Sequence, residues 1–273
     1  MRFFSLALPL ALAATTFVFD FALAQTRRDG RFIRLSFSDG RADAVGLKAV
    51  NAQLLKVGVR VSEVSIPDTA RPLVEVAKTR ALNEREHAEL LSVFSLDRAA
   101  LLDQAAKAGR KPAVEGGGEL SISEKDVPPY PKVYDMKALD EKTKSYLMSK
   151  FGRLHVNSAD SGHGIDEVMT IVAGGPYTWF FALPDGAIAK VRFSEVKTGS
   201  RGWRISYPGL VPHGGYFDAP HGLVAAHAYG PKLFVMRYEA PAVKASERLN
   251  DNPWIDFTVD PPRLLDRSKE ASR

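Results

Sequence analysis

No cysteine occurs anywhere in the 273 residues. Disulfides, thiolate nucleophiles and cysteine-ligated zinc or iron–sulfur sites are excluded with it. The absence says little about compartment, since a chain of this length can be stable without disulfides. A dense basic run is also missing, although Lys and Arg outnumber Asp and Glu by 37 to 32. Arg27–Arg28, Arg110–Lys111 and Lys142/Lys144 lie far apart, so the net charge of +5 is spread and no nucleic-acid surface is expected. No internal repeat, collagen-like period or coiled-coil pattern is visible. Past the first 24 residues, no apolar run approaches the roughly 20 residues that a membrane span requires.

Those first residues are a separate object. Arg2 gives a positive start, Phe3–Phe19 is an apolar run, and Ala22-Leu23-Ala24 stands as a small-residue cleavage site before Gln25. This is the three-part layout of a secretory signal peptide, so the expectation is a secreted or periplasmic protein without a retained membrane span. The short run and Asp20 argue against an anchor.

Residues 31–66 read as strand, helix, strand. Arg31–Ser38 alternates, Ala44–Leu55 carries apolar residues at helical spacing, Gly58 stops the helix and Val59–Ile66 alternates again. The unit has no glycine-rich phosphate loop, hence no nucleotide signature. Residues 71–109 read as helices, with Asn83 and Glu86 as a capping box and Ser95 as a second cap. His87 reads as a solvated surface histidine. Residues 111–133 read as a connector, rich in Gly and Pro, with a short strand candidate at Glu119–Ser123. Met136–Lys150 reads as a further helix. After Leu154 the texture turns to short strands: Glu167–Ala173, Thr178–Leu183, Ala187–Phe193, Trp203–Tyr207 and Lys232–Tyr238. Pro184-Asp185-Gly186 is a hairpin turn between two of them. The expected fold is α+β: a signal peptide over 1–24, an α/β N-terminal region over 25–110, the connector over 111–133, an antiparallel β-barrel over 134–262 and a polar tail over 263–273.

Five of the six histidines crowd into the β-rich half: His155, His163, His213, His221 and His227. Imidazole is the commonest neutral metal ligand and the usual acid/base at neutral pH, so the cluster is a candidate site. Asp166 and Glu167 are adjacent, so only one of them points into a barrel. Both alternating faces of this strand are apolar, and parity alone leaves the choice open. A carboxylate inside needs a metal or an imidazole as partner. Tyr177, Trp179, Tyr207 and His221 are the candidates for contacting a substrate, with core packing as their ordinary alternative.

The stretch His163-Gly-Ile-Asp-Glu167-Val-Met-Thr-Ile-Val-Ala-Gly174 is similar to the first motif of the cupin superfamily. Gly202-Trp-Arg-Ile-Ser-Tyr-Pro208-Gly-Leu-Val-Pro-His213 is similar to the second. Two positions depart from the pattern: Ser161 stands where a histidine is usual, and Phe217 where an asparagine is usual. Leu154-His155-Val156-Asn157 resembles instead the first-motif start of 3-hydroxyanthranilate dioxygenase-type cupins, which use two histidines and one glutamate. Both alignments contain Glu167 and His213, and they differ on His155 against His163. The resemblance implies a cupin-like barrel with one divalent metal, Fe, Mn or Zn, on these residues. It implies an oxygenase acting on a small organic molecule, with a metal-free ligand-binding or sensory protein and a sugar-type isomerase or epimerase as alternatives. It also implies a homodimer.

Overall fold

The computed structural model describes residues 32–111, 118–124, 129–217 and 219–265. The expected signal peptide lies outside them. Alternation places Ile33–Phe37 as β1, and a two-residue β2, Ala44–Val45, pairs back onto it. Helix α1, Leu47–Leu54, buries Val50 and Leu54 and leads to β3, Arg60–Val64. Three helices follow: α2 (Arg71–Thr79), α3 (Glu84–Val93) and α4 (Arg98–Lys107). The Asn83/Glu86 capping box forms at the start of α3. The cap of α4 is Asp97 rather than Ser95, its carboxylate accepting from the Ala100 amide at 2.8 Å.

The expected connector is partly structured. Ser123–Glu124 (β4) and Lys132–Asp135 (β5) are strands, Glu119 bridges to Gly230, and Ile122 and Tyr130 are buried. Residues 112–117 and 125–128 lie outside the described residues. The helix expected from Met136 starts later, at Glu141: α5, Glu141–Phe151, is capped by Asp140 after a turn of 3-10 helix over Met136–Ala138. Then come β6 (Val156–Ser158), β7 (Asp166–Gly174), β8 (Tyr177–Ala182), β9 (Ile188–Phe193), β10 (Gly202–Tyr207), β11 (His213–Tyr216), β12 (Gly222–Tyr229) and β13 (Leu233–Arg237). A last pair, β14 (Ile255–Asp256) and β15 (Arg263–Leu264), uses the first residues of the expected polar tail; 266–273 lie outside the described residues.

Two five-stranded antiparallel sheets result, ordered β11-β8-β9-β1-β2 and β3-β10-β7-β12-β5. Their inner faces share one core, in which Phe181 meets Tyr207 and Phe193 meets Trp203 with ring centroids 5.5 and 5.9 Å apart. Two expectations are corrected here. Among the described residues no closed barrel is present; ten of the strands form two facing sheets, while β4, β13 and β6 make a third sheet and β14 and β15 a pair. Nor is the N-terminal part separate from them: β1 pairs with β9 and β3 pairs with β10, so each sheet takes a strand from before the connector. Local alternation identifies a strand but not its partner, which is chosen by long-range pairing.

The second sheet is buried on both sides, which is why β7 and β12 read as nearly continuous apolar runs. Val172, Ala173, Leu223 and Ala225 pack against α2 and α3, and Val168 and Tyr229 against Leu101 of α4. His227 shares this outer face. Burial, and then the nearby Arg204 cation, push its pKa down to about 4. An unfolded His227 titrates near 6.5. The contribution of the neutral imidazole is therefore complete above pH 6.5 and is lost as pH falls toward 4, where only the unfolded chain gains the proton. The stability difference between the wild type and His227→Leu should shift by about 3 kcal/mol against the wild type between pH 7 and pH 4 in urea titrations. A pH-independent difference would remove His227 as the cause.

At the end of β7, Gly174 has φ +70°, and a Cβ there would lie 2.0 Å from the His221 carbonyl oxygen. That backbone shape costs an L-residue about 1–2 kcal/mol before any clash. Gly174→Ala should lower unfolding free energy by about 2–3 kcal/mol, read from denaturant midpoints.

Candidate active site

The core of the sandwich carries a polar patch. Glu167 lies at the start of β7 in register with Tyr207, and it shares parity with Met169 and Ile171 of the inner core. Asp166 points the other way, to the helices, where it pairs with Arg110 at 3.1 Å. Both faces of β7 are apolar because sheet covers one and helices the other, so parity alone had no basis for choosing.

His155 and His213 are brought together by the backbone. Each amide donates to the other's carbonyl at 2.9 Å, and the rings lie with centroids 4.6 Å apart. Asn157, two residues on, shares the face of His155. It reaches the start of β7 because its amide donates to the Gly209 carbonyl at 2.8 Å and its carbonyl accepts from Ile165 at 3.1 Å. Gly209 makes that approach possible: a Cβ there would lie 2.5 Å from the Asn157 carbonyl oxygen.

Each oxygen of Glu167 is engaged. The Tyr130 hydroxyl donates to Oε1, and Asn157 Nδ2 donates to Oε2 at 3.0 Å. His213 Nε2 lies 3.4 Å from the same Oε2 and 3.3 Å from Asn157 Nδ2. Burial pushes the Glu167 carboxyl up, but the neighbouring His213 imidazole and the Tyr130 hydroxyl outweigh it and hold it below the ordinary value. Burial, and next the Glu167 charge, push Tyr130 and Tyr207 well above the usual phenol range. Burial, then the neighbouring His213, pull His155 down to about 3.

The tautomers follow from the second contact of each ring. His155 Nδ1 lies 2.8 Å from the Arg153 carbonyl and His213 Nδ1 lies 2.7 Å from that of Val211. A carbonyl oxygen only accepts, so both Nδ1 atoms carry the proton and a neutral ring keeps its lone pair on Nε2. This is the tautomer-fixing contact usual behind metal-ligating histidines.

Around these groups is a cavity of about 60 Å³, walled by Tyr130, Lys132, Trp179, Tyr207, Phe217 and Phe234 among others. Of the residues expected to form a site, His155, Glu167, His213, Trp179 and Tyr207 come together here. His163 does not: it lies outside the cavity, with Nδ1 2.9 Å from the Ser161 hydroxyl. His221 is corrected too, standing in another cleft 3.7 Å from Glu195. Tyr177 is fully buried core packing, its hydroxyl donating to the Ala173 carbonyl at 3.0 Å. His87 is not solvated as expected: it is half-buried, 3.6 Å from the buried Asp135 carboxylate.

The sequence reading missed Tyr130, Lys132 and Asn157. Asn157 follows His155 in the motif quoted above, which was a usable signal. Tyr130 and Lys132 sit in a proline-flanked stretch that reads as a loop.

No known protein family's sequence profile matches the chain. No curated protein's sequence matches it. Among solved structures it is similar to an acireductone dioxygenase from Bacillus anthracis, determined with a cadmium ion in its active centre. The two share 19% identity over 76% of this chain and 98% of that one, with a TM-score of 0.49. No helix among the described residues is long and apolar enough to cross a membrane.

Proposed function

We propose that this is a cupin-like protein that holds one divalent cation on Glu167, His213 and His155 and acts on a small organic molecule in the adjoining cavity, as a metal-dependent oxygenase. One observation carries the reading: His213 Nε2 and Glu167 Oε2 stand 3.4 Å apart in the lining of one cavity. Two ligands each about 2.1 Å from an ion, at the tetrahedral angle, stand about that far apart. The donor set fits in a second respect. Asn157 Oδ1 is buried without a hydrogen-bond partner, and turning the amide over would direct that oxygen to the same point. Two imidazoles, a carboxylate and an amide oxygen are hard-to-borderline donors that suit Fe, Mn or Zn.

When bound, such a cation supplies open positions at which a substrate is oriented and polarised. The chain's own residues do the rest. The Tyr130 hydroxyl donates a hydrogen bond to Glu167 Oε1, fixing the carboxylate's orientation. Arg153 and Val211 carbonyls lock the two imidazoles. Trp179, Phe217 and Phe234 give the cavity an apolar wall. Elemental analysis of protein purified without chelator is the test, with about one equivalent of metal per chain expected.

A metal-free binding role is the second reading, favoured by a specific feature. Among the described residues, no three His, Asp or Glu side chains stand close enough to share an ion as placed. Without a cation, Glu167 already accepts hydrogen bonds from Tyr130 and Asn157. Protein that contains no metal and takes up none from Fe(II), Mn(II) or Zn(II) would establish this reading instead.

A further inference from the structure

We infer that the cavity takes a small organic anion, a carboxylic acid of a few carbons, whose carboxylate is met by Lys132. The inference rests on the reading of this cavity as the ligand site, and it adds the class of ligand. Lys132 lies on β5 in register with Ala226, whose side chain belongs to the inner core, so the lysine occupies an inward position of the sandwich. It is buried, only 9% exposed, where lysine is seldom found. Its ammonium lies over the ring of Tyr130, 4.3 Å from the centroid, and 5.0 Å from that of Tyr134.

Tyr130 therefore joins the two charged ends of the cavity. Its face carries Lys132, and its hydroxyl donates to Glu167. Between and around these ends the wall is apolar: Met169, Trp179, Phe217 and Phe234. A neutral carbonyl also accepts from an ammonium, but a carboxylate adds the attraction of opposite charges, which low polarity strengthens. An ammonium has three donors, so contacts inside the protein leave room for a ligand oxygen. With its carboxylate at Lys132, the acid's other end lies toward Glu167 and His213. A cavity of about 60 Å³ is several times the 10–15 Å³ that one water needs, which sets the few-carbon limit.

The test is calorimetric titration of the full chain with propionate and butyrate, against propionamide and butyramide of nearly the same shape. The acids should bind about tenfold or more tighter than the amides. Lys132→Met should bring acid and amide to within about twofold while leaving the metal content unchanged, and Lys132→Arg should keep most of the preference. Equal binding of acids and amides by the wild type, no binding of either acid, or a natively folded Lys132→Met with undiminished acid affinity overturns the inference. If Lys132→Met does not fold, the wild type and Lys132→Arg decide it. The two readings fail separately. A wild type that holds metal but does not prefer acids removes the anion inference alone, and one that prefers acids without metal removes the metal alone.

Discussion

Glu167→Ala is expected to strip the protein of its metal, from about one equivalent per chain to less than a tenth, while the far-ultraviolet circular dichroism stays that of the wild type. Among the described residues, Glu167 supplies the one carboxylate in the group of side chains beside the two imidazoles, and its removal leaves a neutral, weakly binding set. The fold should persist because Glu167 lies at the first residues of β7, and the rest of that strand remains paired along both edges. Glu167→Gln separates charge from shape: it keeps a side chain able to meet Tyr130 and Asn157, and should still lose metal affinity by about 100-fold or more. His213→Ala should match Glu167→Ala, and His155→Ala should weaken binding as the third ligand. His163→Ala should do nothing, since that ring contacts Ser161 outside the cavity. A Glu167→Ala protein that retains a full equivalent of metal would end the assignment.

Arg110→Ala should cost about 3–5 kcal/mol of stability, measured by chemical denaturation, the penalty typical of breaking a buried ion pair from one side. Arg110 follows α4 and reaches under the second sheet. There its guanidinium donates to the Gly58 carbonyl at 2.6 Å, to the Ser206 hydroxyl at 2.8 Å and to Asp166 at 3.1 Å. One side chain thus ties the helices before the connector to β7 and β10. Burial pulls the Arg110 pKa down and pushes that of Asp166 up, even though each charge favours the other. Desolvation therefore outweighs pairing on both sides, and the pair adds little net stability as a unit. Arg110→Met combined with Asp166→Leu should accordingly recover most of the loss. A double variant as unstable as Arg110→Ala would show that the Gly58 and Ser206 contacts, rather than the orphaned carboxylate, set the cost.

The sequence by itself determined the elements whose cause is local. Asn83 and Glu86 form their capping box from side chains three residues apart. Pro184-Asp185-Gly186 turns β8 into β9, with Ala182 opposite Ile188 in the register. Glu167 and His213 were legible as candidates through the cupin-like motifs, which left the choice between His155 and His163 open. Other features had to wait for the tertiary structure. Strand β11, with Gly214 and Gly215, carries little local signal, yet pairing with β8 holds it in place. Strand β12 lacks alternation because both of its faces are covered, one by the opposing sheet and one by helices. His155 rather than His163 enters the cavity because the backbone of His155 pairs with that of His213, a contact between residues 58 apart in the chain. Tyr130 and Lys132 reach the site because β5 joins the sheet edge beside β12. Spacing along a chain sets which residues share a face of one element. Which faces meet across the core is decided by pairing and burial summed over the whole fold, and no short window of sequence contains that sum.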